Sequence, residues 1–313
     1  MKTTPDTSAR EDLGADYKKA LDDGWLPIRE VARQTGVNAI TLRAWERRYG
    51  LIVPQRTPKG HRLFSAEHVQ RIMAILTWLN RGVAVSQVKQ LLDAPQAFTE
   101  SAENDWDVLR RTLLQAVSQL AERTLDDTVN QAMSLYPPRT LCEQLLMPLL
   151  ADLEKRWQGQ FGAQMERVFF HGWLRSKFGA RIYHNNRQLR DAPLLLVNQS
   201  DLPLEPSLWL TAWLISSADC PVEIFDWPLP AGELALAAEH LQARGVLLYS
   251  SKAMNLSTLP KLLNGIACPL FIAGPTVRIH HADLSVHTQG IADLSLAEDA
   301  LAAHQTLMQR GLI

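Results

Sequence analysis

The chain has 313 residues, 46% of them apolar and 21% charged, with a net charge of -1 and three cysteines. That length exceeds one compact core and predicts two or three domains with the composition of a soluble globular protein. No run of eighteen apolar residues occurs, which excludes an apolar membrane span, and Cys142, Cys220 and Cys268 lie too far apart for a disulfide framework or a Cys-rich zinc site.

The near-neutral total conceals an asymmetry. Residues 25–90 carry eleven Arg and Lys against three Glu, a net +8, whereas residues 1–24 carry -2 and residues 91–313 carry -7. A basic module on an acidic body predicts a polyanion partner for the module alone. Residues 1–24 are polar and acidic, the pattern of a flexible tail with no signal peptide.

In the module, IREVARQ (28–34) reads as a short helix ended by Gly36, and Asn38 as the cap of a second helix through about Tyr49. Gly36 between two short helices fits a helix-turn-helix. Leu42, Trp45 and Tyr49 share one face of the second helix, and Arg43 and Arg47 another. GLIVPQRTPKGHRLFS follows, with a Lys-Gly turn signal at 59–60 that predicts a hairpin with Arg56, Lys59 and Arg62 near its tip. Ser65 then caps a longer helix whose buried face is expected to hold Val69, Ile72, Met73, Leu76 and Leu79, and VSQVKQLL (85–92) is a further short helix. The order is that of a winged helix-turn-helix.

TLRAWERRYGL followed by GHRLFS resembles the MerR family of transcriptional regulators, and within it the MlrA-like and cobalamin-photoreceptor-like branch. The resemblance covers residues 25–93. It implies a DNA interface made by Asn38, Thr41, Arg43, Arg47, Arg48, Arg56, Lys59, His61 and Arg62, with Asn38, Ala39, Thr41 and Arg43 deepest in the major groove. The family's pair of aromatics after the arginine is replaced here by Ala44-Trp45.

Residues 94–104 read as a linker. Four helical stripes over 105–186 predict a helical bundle: Trp106, Leu109, Leu113, Val117 and Leu120; Val129, Ala132 and Met133; Leu141, Leu145, Leu149 and Leu153; and Met165, Val168, Phe169, Trp173 and Phe178. From 190 to 313 the apolar runs APLLLVN, PVEIFDW, GVLLYSS and CPLFIAGP alternate with helices such as PSLWLTAWLISS. That alternation predicts a parallel sheet in a flavodoxin-like, Rossmann-type α/β domain.

The order of module, bundle and α/β domain is similar to that of the cobalamin-dependent regulators, as is the nine-residue spacing of Pro148 and Trp157. In that group the tryptophan caps the cofactor and Glu-His follows it, whereas this chain has Glu166-Arg167, one residue closer. The group's Asp-x-His-x-x-Gly after the first strand supplies a histidine to cobalt; the corresponding NQSDLPLEP (198–206) keeps Asp201 without that His or Gly. Its later Gly-Gly is Gly274-Pro275 here. The resemblance therefore implies an effector pocket at Trp157, Glu166, Arg167, Asp201, Ser251 and Gly274 that has lost conventional adenosylcobalamin binding, so that no cofactor is expected. His280-His281 lacks a third ligand, and no metal is expected either.

No G-x-S-x-G, Walker A or HExxH motif occurs, and no enzyme is expected. The combined reading is a dimeric, sequence-specific transcription regulator in the cytoplasm, at the nucleoid. Its expected partners are double-stranded promoter DNA, a second copy of itself and RNA polymerase, with an unidentified effector and no membrane. The alternatives are an adenosylcobalamin- or light-responsive regulator, and a C-terminal half acting as a protein-interaction adaptor.

Overall fold

The structure, a computed structural model, describes residues 21, 23–93, 105–159, 161–281, 283–284 and 293–313. The residues 1–20 of the expected tail and the whole expected linker, 94–104, lie outside the described residues. The described chain forms two compact units: residues up to Gln115 together with Arg123–Leu145, and Ala116–Glu122 together with Leu146–Ile313.

The first unit opens with β1 (Leu26–Pro27), α1 (Ile28–Thr35) and α2 (Ala39–Ala44). Gly36, at φ 70°, closes α1, and the Asn38 side chain accepts from the Thr41 N–H at 2.8 Å to start α2. The helix continues as one wide π turn over Trp45–Tyr49, ended by Gly50 at φ 57°. β2 (Gln55–Arg56) and β3 (Arg62–Phe64) make the wing, and with β1 they form an antiparallel sheet of order β1-β3-β2. Ser65 and His68 form a reciprocal cap at the start of α3 (Ala66–Asn80), and α4 (Val85–Asp93) follows.

The core of this unit holds Val31, Leu42, Trp45, Leu51, Phe64, Ile72, Ile75 and Val88. Met73, expected on the buried face of α3, is 49% exposed, and Ile75 takes the inward place. α5 (Asp105–Ser118) and α6 (Glu122–Leu135) come next, then α7 (Pro138–Leu141), a second π turn over Cys142–Leu146, and α8 (Met147–Trp157). Leu120, expected on the α5 stripe, is exposed beyond the helix end at φ 53°. The segment 123–145 is tied to the winged module by polar as well as apolar groups. The Trp45 indole N–H donates to Leu135 O at 2.8 Å, the Val85 N–H to the Tyr136 hydroxyl at 3.4 Å, and the Thr140 hydroxyl to the Asn80 side chain at 2.9 Å.

In the second unit α9 (Ala163–Asn186) leads into a five-stranded parallel sheet: β4 (Leu194–Asn198), β5 (Val222–Phe225), β6 (Gly245–Tyr249), β7 (Leu270–Ala273) and β8 (Leu294–Ala297). The order is β5-β4-β6-β7-β8, the flavodoxin-like arrangement expected from the sequence. β8 has no counterpart among the expected strands; it is a half-exposed edge strand and lacks a continuous apolar run.

One sheet face carries α11 (Ala231–His240) and α12 (Leu259–Leu263), which bury Leu234, Ala238, Leu259 and Leu263 with Leu195, Val197, Val246, Leu248 and Ile272. α10 (Pro206–Ser217) is buried at every position from Leu208 to Ser216 and packs against α9, β4, β5 and α13 (Ala300–Gln309). A helix apolar all round is what such an enclosed position demands. Among the described residues no helix is long and apolar enough to cross a membrane.

Gly274 leaves β7 at φ 102°, and a Cβ there would stand 2.4 Å from the Ser250 carbonyl oxygen and 2.9 Å from the Tyr249 ring. Gly274→Ala is therefore expected to destabilise this unit by about 2–3 kcal/mol or more, from backbone strain and overlap together. Chemical unfolding followed by tryptophan fluorescence checks it, and Gly311→Ala, with open space around its Cβ, is the control for positive φ alone.

Candidate functional site

Two groups of residues carry the candidate chemistry. The first is the basic face of the winged module. Arg43, Arg47 and Arg48 are exposed along α2 and its π turn, and Arg56, Lys59 and His61 are exposed on the wing. The hairpin tip is built by hydrogen bonds from the Thr57 N–H to His61 O, the Gly60 N–H to Thr57 O, and the His61 N–H to the Thr57 hydroxyl. Gly60 at φ 82° makes this turn possible without side-chain strain.

Thr41 departs from the expected DNA-facing set. It is 0% exposed, because α2 turns that position into the core beside Leu42, and its hydroxyl has no partner among the described residues. Ile40, 64% exposed, points outward instead. With Ala44, Arg47, Arg48 and Ser134 it lines an open cleft of about 320 Å³. Asn38 is half-buried, its side-chain oxygen engaged in the helix cap. Arg62 is also held from within: its Nε donates to Glu46 at 2.5 Å, and the Arg56 guanidinium donates to the other oxygen of that carboxylate at 2.6 Å. Burial pushes the Glu46 carboxyl up, but hydrogen bonds and charge from Arg62 and Arg56 outweigh it and hold the group below the ordinary Glu value. Glu46 was legible only as the one acid within a run of cations.

The second group lies in the unit that contains the sheet. Trp157, Glu166 and Arg167 lie against one another. Glu166 faces inward and receives two hydrogen bonds from Arg156, each 2.9 Å, and a third from the Trp157 indole N–H at 3.1 Å. The Arg156 hydrogen bonds outweigh burial and keep the Glu166 carboxyl ionised below its ordinary range. Arg167 pairs with Glu154 at 2.9 Å and lays its guanidinium 5.1 Å from the centre of the Trp157 ring. The inward register of α9 is Glu166, Phe170, Trp173, Leu174, Phe178 and Ile182, not the expected Met165, Val168 and Phe169; Met165 and Val168 are exposed. A polar residue on the buried face masks that stripe.

At the carboxyl ends of β4 and β6, where the strand order reverses, the Asn198 amide donates to Leu202 O and Asp226 O and its carbonyl accepts from Ser200. Asp201 is exposed at φ 54°. Glu205, which sequence reasoning missed, is 2% exposed and accepts from the Ser251 N–H at 3.3 Å. Burial raises its pKa against the opposing hydrogen bonds from Ser251 and Ser200. Ser251 and Gly274 both border this edge through Ser250, whereas the Gln199 amide nitrogen and the Thr276 hydroxyl nearby are buried without a partner among the described residues. His280 Nε2 accepts from the Met254 N–H at 3.0 Å, and no group of three metal-ligating side chains occurs among the described residues.

A helix-turn-helix with a basic wing, joined to helices and a flavodoxin-like sheet, defines a DNA-binding regulator with a further α/β unit. A model of the MerR HTH family of regulatory proteins matches residues 26–95, and a model of the B12 binding domain matches residues 109–182. The chain is 32% identical over 198 residues to the HTH-type transcriptional regulator MlrA of Escherichia coli K12, covering 63% of this chain and 78% of that one. It is 28% identical over 141 residues to the HTH-type transcriptional repressor CarH of Myxococcus xanthus, covering 42% and 47%. A solved monomethylamine corrinoid protein of Methanosarcina barkeri aligns at 15% identity and a TM-score of 0.45, over 63% of this chain and 96% of that one. The chain belongs to the MerR family of HTH-type transcriptional regulators, in the branch that carries a B12-binding-type domain.

His171 stands edge-on to Trp157, with ring centres 5.7 Å apart. Burial and then the Arg167 charge push its pKa from 6.5 down to about 4, so the native ring is neutral. Between about pH 6.5 and 4 the unfolded chain takes up a proton that the native state refuses, and stability is lost as pH falls through that window. The loss at pH 5 relative to pH 7.5 is expected to be on the order of 1–2 kcal/mol. His171→Asn should shrink it, as read from unfolding midpoints of both proteins at both pH values.

Proposed function

We propose that this regulator binds promoter DNA as a dimer and that its effector half does not hold adenosylcobalamin in a histidine-ligated mode. The observation that carries the DNA reading is the cationic surface of α2 and the wing, with Arg43, Arg47, Arg48, Arg56, Lys59 and His61 all exposed on one module. In this reading Arg43 and the outward residues at the start of α2 meet base edges, and the remaining cations meet phosphates. A single module of this size offers few base contacts, which favours two copies on a pseudo-palindromic site. RNA polymerase is then a natural neighbour at the promoter.

The cofactor reading rests on donor chemistry. Cobalt in this branch takes an imidazole after the first strand, and the segment from Asn198 to Pro206 offers amides, hydroxyls and carboxyls. Asn198 is already satisfied by Leu202, Asp226 and Ser200, and Glu205 by Ser251. The residues present do not fit that mode of binding. Trp157 with its Glu166 partner, inside the stretch matched by the B12-binding model, favours a second reading in which a corrinoid is kept by other contacts.

Selection of bound duplexes from a random-sequence pool tests the DNA reading, and an enriched pseudo-palindrome is expected. On the selected duplex, Arg47→Ala should reduce the slope of log K against log salt by about 0.9 for each phosphate that Arg47 neutralises. Light scattering of the purified protein is expected to give the mass of a dimer. Mixing the protein with adenosylcobalamin in the dark, desalting and recording a visible spectrum tests the cofactor reading. A colourless protein is expected; stoichiometric retained colour would establish the second reading.

A further inference from the structure

Two cations of the wing do not stand where a simple phosphate-binding surface would put them. Arg56 and Arg62 are direct partners across β2 and β3, so their side chains leave the hairpin on the same face. Like charges directly opposite one another destabilise a strand pair, and strands of two and three residues have little ladder of their own to resist it. The relief comes from another element. Glu46, in the π turn that ends the recognition helix, takes Arg62 Nε on one carboxylate oxygen and the Arg56 guanidinium on the other. The Arg62 side chain is 18% exposed and that of Glu46 14%, whereas Arg56 remains 50% exposed. One arginine of the pair is thus largely enclosed, and the other, held by the same carboxylate, stays half-exposed.

We propose that Glu46 is a positioning residue for DNA recognition: it locks the wing to the recognition helix so that both meet one duplex in register. Arg62 is the strut of this lock, and Arg56 is the cation it aims. The inference rests on the DNA-binding reading of this face. It assigns to an acid, on a surface otherwise selected for positive charge, a role that net charge alone would argue against. Removing Glu46 makes the face more positive, so sequence-independent attraction is retained or strengthened. Without the lock, however, the wing and helix lose their fixed spacing, and discrimination falls. Affinity and discrimination therefore move in opposite directions, which loss of fold alone does not produce.

The experiment uses the full chain with a duplex selected by the wild-type protein from a random-sequence pool and a scrambled version of the same duplex. Wild-type discrimination between the two is the control for the DNA reading itself. With that in place, Glu46→Gln is expected to lower the selected-to-scrambled affinity ratio about tenfold, the range of one mismatched base pair, without a shallower salt slope on the scrambled duplex. Arg62→Gln should lower the ratio similarly, and the double variant Glu46→Gln with Arg62→Gln should be no worse than either single change, because the same lock is broken in all three. An unchanged ratio in folded Glu46→Gln, or additive losses in the double variant, would overturn the proposal. If Glu46→Gln does not fold, as judged by its circular dichroism, Glu46→Asp supplies the same reading. It keeps the charge but is one methylene too short to bridge both arginines; a lowered ratio supports the lock and an unchanged one removes it.

Discussion

An indole that is completely buried must still place its N–H. Trp45 sits at 0% exposure where α2 passes into its π turn, and its donor reaches the carbonyl of Leu135, ninety residues along the chain. Leaving that donor unpaired would cost about 1–3 kcal/mol, in addition to the packing around the ring. The consequence is organisational. The inner face of α2 and its π turn is not completed by the helix-turn-helix alone; it is closed by 123–145, which the tyrosine hydroxyl of Tyr136 and the Thr140–Asn80 bond hold in place as well.

Much of this organisation is legible in the residues. Gly36, Asn38, Ser65 and the Lys-Gly turn act through local backbone chemistry, and the structure uses each of them as the sequence predicts. The parallel strands were readable for a related reason: strands buried on both faces carry continuous apolar runs. What escaped were side chains whose role is set by distant partners. Thr41 and Met73 exchange inside for outside because a helix, short like α2 or long like α3, can be rotated by one position with little change in its apolar stripe. The inward stripe of α9 was misread because Glu166 lies on it, and a buried carboxylate becomes intelligible only when Arg156 and Trp157 are beside it. Glu205 went unread, and the role of Glu46 stayed hidden, for the same reason, each having partners from another element.

Two buried carboxyls of the sheet-bearing unit are shifted in opposite directions. Glu166 is satisfied by a guanidinium and an indole and stays ionised, a charge held rigidly beside an aromatic ring. Glu205 has neutral donors, and burial drives it toward the protonated form at the reversal point of the sheet. At these strand ends Asn198 and Glu205 already bond neighbouring groups, whereas the Gln199 amide and the Thr276 hydroxyl have no partner among the described residues.

The last residue of α9 has a bearing on how such molecules crowd together. Asn186 donates to the carbonyl of Val222 and accepts from its N–H, mimicking with one amide the backbone of a missing neighbour strand. β5 lies at the margin of the sheet, and alternation leaves Ile224 as its one other residue with backbone groups turned outward. A single unpaired position is too short a template for strand addition. This margin is therefore closed to strand addition by a side chain of the preceding helix.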